Sequence, residues 1–302
     1  MSTTALAQEK TVVILGTATP GGGFPVFGAV FTEVLNATDA SLSVQPKNTK
    51  GSTENVPLLE AGQLDIALVQ GEVVHEAIAG IGRKPADLRI IAAIYSSPGM
   101  YVVRADSPYR RIADLKGKPV AFGAKGSGLV ILARYVLDGI GLDQERDFQA
   151  IFLERAGDGP AMVADGRAAA LWGAGLGWPG FAAVAKLPGG ARFIAPDAGE
   201  IKRILARHPF LRPMTVAAGS YPGQADAIAS VGSWSFVLAR PTLPDDVAYR
   251  LARAVHQGQA ALGAKLEQAR ETTLANTVAA APRKDLIHPG VLRYLREISL
   301  ID

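Results

Sequence analysis

Apolar positions along this chain fall into two alternating periods. Thr11-Val12-Val13-Ile14-Leu15 is a β-branched run ending at Gly16, the pattern of a buried strand. Val26, Phe27, Val30, Phe31, Val34 and Leu35 then repeat at the spacing of one helical face. Pro25 suits the first turn of that helix, where its missing N–H has no intrahelical partner to lose. The alternation continues with a strand over 42–45 and a helix reaching Ala61, capped by Ser52 or Thr53 and stopped by Gly62. Strands are predicted over 65–70, 89–95 and 100–104, the last two separated by a Ser96-Ser97-Pro98-Gly99 break. Further strands fall over 119–122, 150–153 and 168–172, with helices over 129–137 and 159–165. Residues 210–228, rich in glycine and proline, read as a connection. A strand over 232–240 and helices over 245–265 and 289–298 complete the pattern.

Short strands alternating with helices predict an α/β fold with largely parallel sheets. The strands over 101–104 and 232–240 resemble each other, each an apolar run ending in arginine with a proline soon after. They suggest a chain that leaves one lobe, builds a second and returns, with a cleft between. The division expected is 8–103 and 231–302 for the first lobe and 104–230 for the second.

Three glycine-and-hydroxyl turns follow predicted strands: Gly16 to Pro25, Lys50-Gly51-Ser52-Thr53, and Gly123-Ala124-Lys125-Gly126-Ser127-Gly128. A turn of this kind aims free backbone N–H groups at one spot on the positive end of a helix, where an anion is favoured. In open α/β sheets such turns gather beyond the carboxyl ends of the strands, where ligands sit. Nucleotides fit poorly. The first turn has the Gly16-xxxx-Gly21-Gly22 spacing but lacks the lysine and Ser/Thr of a P-loop, and Thr17-Ala18-Thr19-Pro20 breaks the dinucleotide pattern.

Composition narrows the classes further. The chain has 302 residues, 48% hydrophobic and 20% charged, which suits two globular lobes. A net charge of +3 with no aromatic-interleaved basic cluster gives no nucleic-acid footprint. There is no cysteine, so thiolate chemistry, cysteine zinc sites and disulfides are excluded. Ala5-Leu6-Ala7 before Gln8-Glu9-Lys10 has the small-x-small form of a secretory cleavage site. It predicts a signal peptide and a periplasmic mature chain, with a plain N-terminal tail as the alternative.

Candidate reactive groups are sparse. His75, His208, His256 and His288 lie far apart, without metal-binding spacing. Gly126-Ser127-Gly128 lacks the flanking pattern of a nucleophile elbow. Glu72, Glu76, Asp158 and Asp245-Asp246 read as solvated ends rather than an acid/base pair. Trp172 and Trp178 flank a glycine-rich loop and are expected to cover a ligand. The reading is a binding site without chemistry.

The run Thr49-Lys50-Gly51-Ser52-Thr53-Glu54-Asn55 with Leu58-Leu59-Glu60-Ala61-Gly62-Gln63-Leu64-Asp65-Ile66-Ala67-Leu68-Val69-Gln70 resembles the signature of TAXI proteins. These are the extracytoplasmic solute receptors of one branch of TRAP transporters. Gly123 to Gly128, His208-Pro209-Phe210, Gly219-Ser220-Tyr221-Pro222-Gly223-Gln224 and His288-Pro289-Gly290 are similar to the same family. The resemblance implies a two-lobed, type II periplasmic-binding fold that closes on a small organic anion and hands it to TRAP membrane subunits, acting as a monomer without metal or cofactor. It implies ligands such as glutamate or 2-oxoglutarate. The implied contacts are Thr17, Gly22, Gly23 and Phe24; Asn48, Thr49, Lys50, Gly51 and Ser52; Gln70; Lys125, Gly126 and Ser127; and Trp172, Gly173 and Trp178. This chain departs from the family at Phe24-Pro25, where tyrosines are common, and at Lys50 and Lys125. Two lysines on these turns favour a ligand with more than one negative charge. An enzyme or a sensor module on the same fold is the alternative.

Overall fold

Each strand-to-helix unit of the first lobe buries one helical stripe on the sheet behind it, and the computed structural model describes residues 9–302. The chain opens with β1 (Thr11–Gly16), α1 (Gly23–Thr38), β2 (Leu42–Lys47), α2 (Ser52–Glu60), β3 (Ile66–Gln70) and α3 (Gly71–Ala79). β4 (Arg89–Arg104) leads to β5 (Pro119–Ala124), α4 (Gly128–Gly139), β6 (Gln149–Leu153), α5 (Gly159–Ala164) and β7 (Ala170–Ala174). Then come α6 (Pro179–Ala185), β8 (Ala191–Ile194), α7 (Ala198–Arg207) and β9 (Arg212–Val216). β10 (Ile228–Ala239) returns the chain, and α8 (Asp245–Lys265), α9 (Leu274–Ala280) and α10 (Pro289–Glu297) finish it.

The strands form one sheet in the order β2-β1-β3-β10-β4-β7-β5-β6, with β8 on β4 and β9 on β10. β1, β2 and β3 are parallel, as are β5, β6 and β7. β4 and β10 run antiparallel to their neighbours, so the sheet is less parallel than the alternation predicts. One core packs β1, β2 and β3 against α1 and α8, through Leu15, Phe27, Phe31 and Leu251. Another packs β5 and β7 against α4 and α6, through Phe122, Leu132, Trp172 and Phe181. These are the two lobes.

β4 and β10 join them. The predicted break at Ser96 to Gly99 is absent, because β4 is a single strand that changes partners there. Gly232 to Ala239 of β10 pair with Pro98 back to Arg89, whereas Gly99 to Val102 pair with β7. The bare faces of two glycines permit the crossing: a Cβ on Gly99 would lie 2.6 Å from the Trp172 ring, and one on Gly232 2.1 Å from the Ser97 carbonyl oxygen. The supposed connection over 210–228 contains β9, which pairs with the start of β10. The strand predicted over 168–172 lies two residues later, so Trp172 and Gly173 belong to β7 and not to a loop. Neither Ser52 nor Thr53 caps α2; Gly51 occupies the N-cap position, and the Ser52 hydroxyl instead accepts from the Gln70 N–H at 3.1 Å. The expected cleavage site at Ala5-Leu6-Ala7 lies outside the described residues.

Candidate ligand-binding site

The first turn delivers Gly22, Gly23 and Phe24 to a cavity between the lobes. α1 begins at Gly23 with no side-chain cap, so its first N–H groups remain free for another acceptor. Gly23 is bare because a Cβ there would lie 3.3 Å from Trp178 Cδ1 and 3.4 Å from the Tyr95 hydroxyl oxygen. From the second and third turns come Lys50 and Ser127, and from the end of β3 comes Gln70. About 460 Å³ of unfilled space lies among these residues, open solvent at the mouth included.

Its polar groups are mostly neutral donors. Gln70, Tyr95 and Trp178 are 5%, 5% and 4% exposed, and their side-chain polar groups have no hydrogen-bond partner among the described residues. Burial pushes the Tyr95 phenol well above its ordinary value, so it stays a donor. Ser127 caps α4 by accepting from the Leu129 N–H at 3.1 Å, which leaves its own O–H proton to donate. On the floor, Ser97 of β4 and Ser235 of β10 lie hydroxyl to hydroxyl at 3.3 Å. Phe24, Leu129, Ala124, Ala156 and Ala174 supply the apolar wall. Trp178 is fixed by glycines: a Cβ on Gly173 or Gly180 would lie 2.5 or 2.1 Å from its ring.

The two lobes touch around this cavity. The Thr53 N–H and hydroxyl both donate to the Gly126 carbonyl, at 3.2 and 3.0 Å. The Ala156 N–H donates to the Thr19 hydroxyl at 3.2 Å. Away from the cavity, Arg134 and Tyr135 of α4 reach Glu76 of α3. The cleft is closed.

Of the residues implied by sequence, Gly22, Gly23, Phe24, Lys50, Gln70, Ser127 and Trp178 line the cavity. The others do not, each for a visible reason. The Thr17 hydroxyl donates to the Lys47 carbonyl at 3.1 Å and lies 3.3 Å from Asn48 Oδ1. Thr49 donates to the Thr17 carbonyl, and these bonds tie the ends of β1 and β2 together. Gly51 faces the Gly126 backbone, Gly126 faces Lys50, and Ser52 is turned inward beneath Gln70. Lys125 pairs with Glu154 outside the cavity. Trp172 is fully buried, its indole N–H donating to the Leu129 carbonyl at 2.9 Å, and Gly173 is spent on seating Trp178.

Sequence reasoning missed Tyr95, Ser97 and Ser235. Their signal was a polar residue inside an otherwise apolar strand. Glu72 was also misplaced, since it is fully buried and not at a solvated end. A Cβ on Gly71 would lie 2.5 Å from the Trp234 carbonyl oxygen, so α3 presses on β10 and encloses the carboxyl. One Glu72 oxygen accepts from Ser233 and the other has no protein partner. Desolvation pushes its pKa up to about 7, with the Ser233 bond offsetting part of the shift.

Among the described residues no three His, Asp or Glu side chains gather into a possible metal set, and no helix is long and apolar enough to cross a membrane. Three solved structures share the architecture. A protein of Bordetella bronchiseptica RB50 is 15% identical, covering 96% of this chain and 98% of its own, with a TM-score of 0.61. MatC of Rhodopseudomonas palustris with bound malate is 14% identical, covering 94% and 97%, with a TM-score of 0.60. The alkanesulfonate-binding protein SsuA of Xanthomonas axonopodis pv. citri, bound to MOPS, is 20% identical, covering 91% and 84%, with a TM-score of 0.52. The fold is that of the two-lobed, type II periplasmic solute-binding proteins. A model of the NMT1-like family matches residues 15–298, and the chain belongs to that family.

Proposed function

We propose that this member of the NMT1-like family is a periplasmic solute receptor that closes its lobes on a small organic carboxylate and delivers it to TRAP membrane subunits. One observation carries the binding half of this reading. Gln70, Tyr95 and Trp178 are nearly buried donors without protein partners, and they converge on one cavity. Their polar atoms open onto the cavity and are available to a ligand. A carboxylate provides the missing acceptors, and backbone N–H groups at the start of α1 add to them. The malate held by MatC and the MOPS held by SsuA both carry an ionised acid group, which supports the class without fixing the molecule.

The lining supports binding without turnover. Among the described residues it includes no histidine, aspartate or glutamate to move a proton. The transport half rests on the resemblance of residues 49–70 to the TAXI signature. Mass spectrometry of small molecules released by denaturing the purified protein tests the reading. A carboxylate near one per chain is expected; a cationic ligand, or conversion of the released molecule by fresh protein, overturns it.

A further inference from the structure

We propose that Glu72 couples closure of the lobes to a proton: its carboxyl is protonated in the closed cleft and releases that proton when the lobes part. The coupling is a property of the hinge and is independent of which acid the cavity takes. β10 changes partners beside this residue. Ile228 to Gly232 pair with β9 of the second lobe, and Ser235 to Ala239 pair with β3 of the first. Ser233 stands in the gap between the two pairings, and its hydroxyl donates to one Glu72 oxygen. Across the ladder from Ser233 lies Ser97, and β4 switches to β7 two residues on, at Gly99. Glu72 is thus bonded to the point about which the lobes bend.

The same face of α3 is covered by the other lobe. Glu72, His75 and Glu76 share that face at i, i+3 and i+4. His75 stacks on Phe210 with ring centroids 4.0 Å apart, and Glu76 accepts from the Tyr135 hydroxyl at 2.8 Å. Phe210 and Tyr135 both pack on the core of the second lobe. Ile131 of α4 crosses to the apolar cluster that holds Val73 and Val74 of α3. Closure therefore strips water from the stripe, and the second Glu72 oxygen is enclosed without a partner. No cation compensates it. Arg134 of α4 is held by Glu76, His208 is bonded to Asp138, and Arg212 of β9 lines the groove beyond Ser233. Glu54 and Glu60 of α2 bond the Lys50 N–H and Arg83, while β3 and β10 carry no ionisable side chain. Burial holds the closed-state pKa near 7, and hydration returns it toward the ordinary carboxylate range when the lobes part. Between those limits closing takes up a proton, so the closed state loses population as pH rises. Below them the carboxyl is protonated in both states, and above about 7 it is ionised in both. His75 acts in the opposite sense, because burial lowers its pKa and closure expels its proton.

Comparison with Glu72→Gln cancels the His75 contribution and isolates Glu72. The chain has no cysteine, so Ala40→Cys and Arg167→Cys, exposed and one on each lobe, accept a pair of dyes. Single-molecule energy transfer then counts closed and open molecules of the full chain, stripped of small molecules by unfolding and refolding. The closed-to-open ratio of the otherwise wild-type chain, divided by that of Glu72→Gln, is expected to fall at least tenfold from pH 5 to pH 8. A quotient that is constant or rises over this range overturns the inference and leaves the receptor reading standing. Ser233→Ala supplies an independent check, because it withdraws the bond that favours the ionised carboxyl. It is expected to carry the fall to higher pH; a fall over the same range as in the chain with Ser233 overturns the assignment to Glu72.

Discussion

Gly51 and Gly126 meet backbone to backbone across the cleft: a Cβ on Gly51 would lie 2.8 Å from the Gly126 carbonyl oxygen. Gly51 also holds φ at +121°, a left-handed conformation that other residues resist. The contact depends on closure, because the two glycines sit on turns from opposite lobes.

Gly126→Ala therefore tests closure with little disturbance to either lobe. Its Cβ would strike the Lys50 carbonyl oxygen at 2.7 Å, a contact made in the closed state. Overpacking of this kind costs roughly 1–3 kcal/mol, about five- to a hundredfold in affinity. Small-angle scattering should show the saturated wild type more compact than the saturated variant. Equal radii and equal affinities would mean the turns move apart freely.

Ser127 caps α4 and keeps a proton to donate, so two substitutions separate its roles. Ser127→Ala loses both, and affinity should fall by roughly ten- to a hundredfold for a hydrogen bond to a charged partner. Ser127→Asp retains a cap but repels an anion, so its unliganded melting temperature should hold while binding disappears. Binding that survives in Ser127→Asp would place the carboxylate elsewhere.

Tryptophan emission should report the ligand through Trp178 alone. Trp178 lines the cavity, whereas Trp172 is sealed in the core with its N–H bonded to Leu129. Trp178→Phe should abolish the ligand-dependent change in emission. Trp172→Phe should keep that change and lower the melting temperature. A signal that follows Trp172 would refute this placement.

Glu72 should give stability a distinct pH dependence. Its folded pKa is raised to about 7, so the folded protein holds a proton that the unfolded chain has already released. The cost of ionising it is absent at pH 4, grows as pH rises through the ordinary carboxylate range, and is complete above about 7. Glu72→Gln should melt higher than wild type at pH 8, by up to roughly 3 kcal/mol, and the difference should vanish near pH 4. Parallel melting curves across that range would show that Glu72 is not the titrating group.

The legible part of the site is the part set by local sequence. Gly22, Gly23, Phe24, Gln70 and Ser127 each stand where a strand ends and a helix begins, and an α/β pattern places such points together. Ser97 and Ser235 were not legible, because they meet only through the pairing of β4 with β10, 138 residues apart. The Lys125 error has a different origin. A turn fixes where a backbone lies but not where a long side chain goes, and this one leaves for Glu154. Trp172 was misread because its strand begins two residues later than its apolar run suggests.

The return of the chain through β10 has a consequence for how this protein is made. β3 lies between β1 and β10, so the first lobe exposes a bare strand edge until Ile228–Ala239 has been synthesised. A growing chain carrying only the first three turns already has Gly22, Gly23, Gln70 and Ser127, yet cannot hold them in place. Completion of the lobe waits on contacts far apart in sequence, which form slowly. The nascent protein thus remains pliable until nearly four-fifths of its length exists, and fragments ending before β10 should be cleared by proteases rather than accumulate as half-receptors.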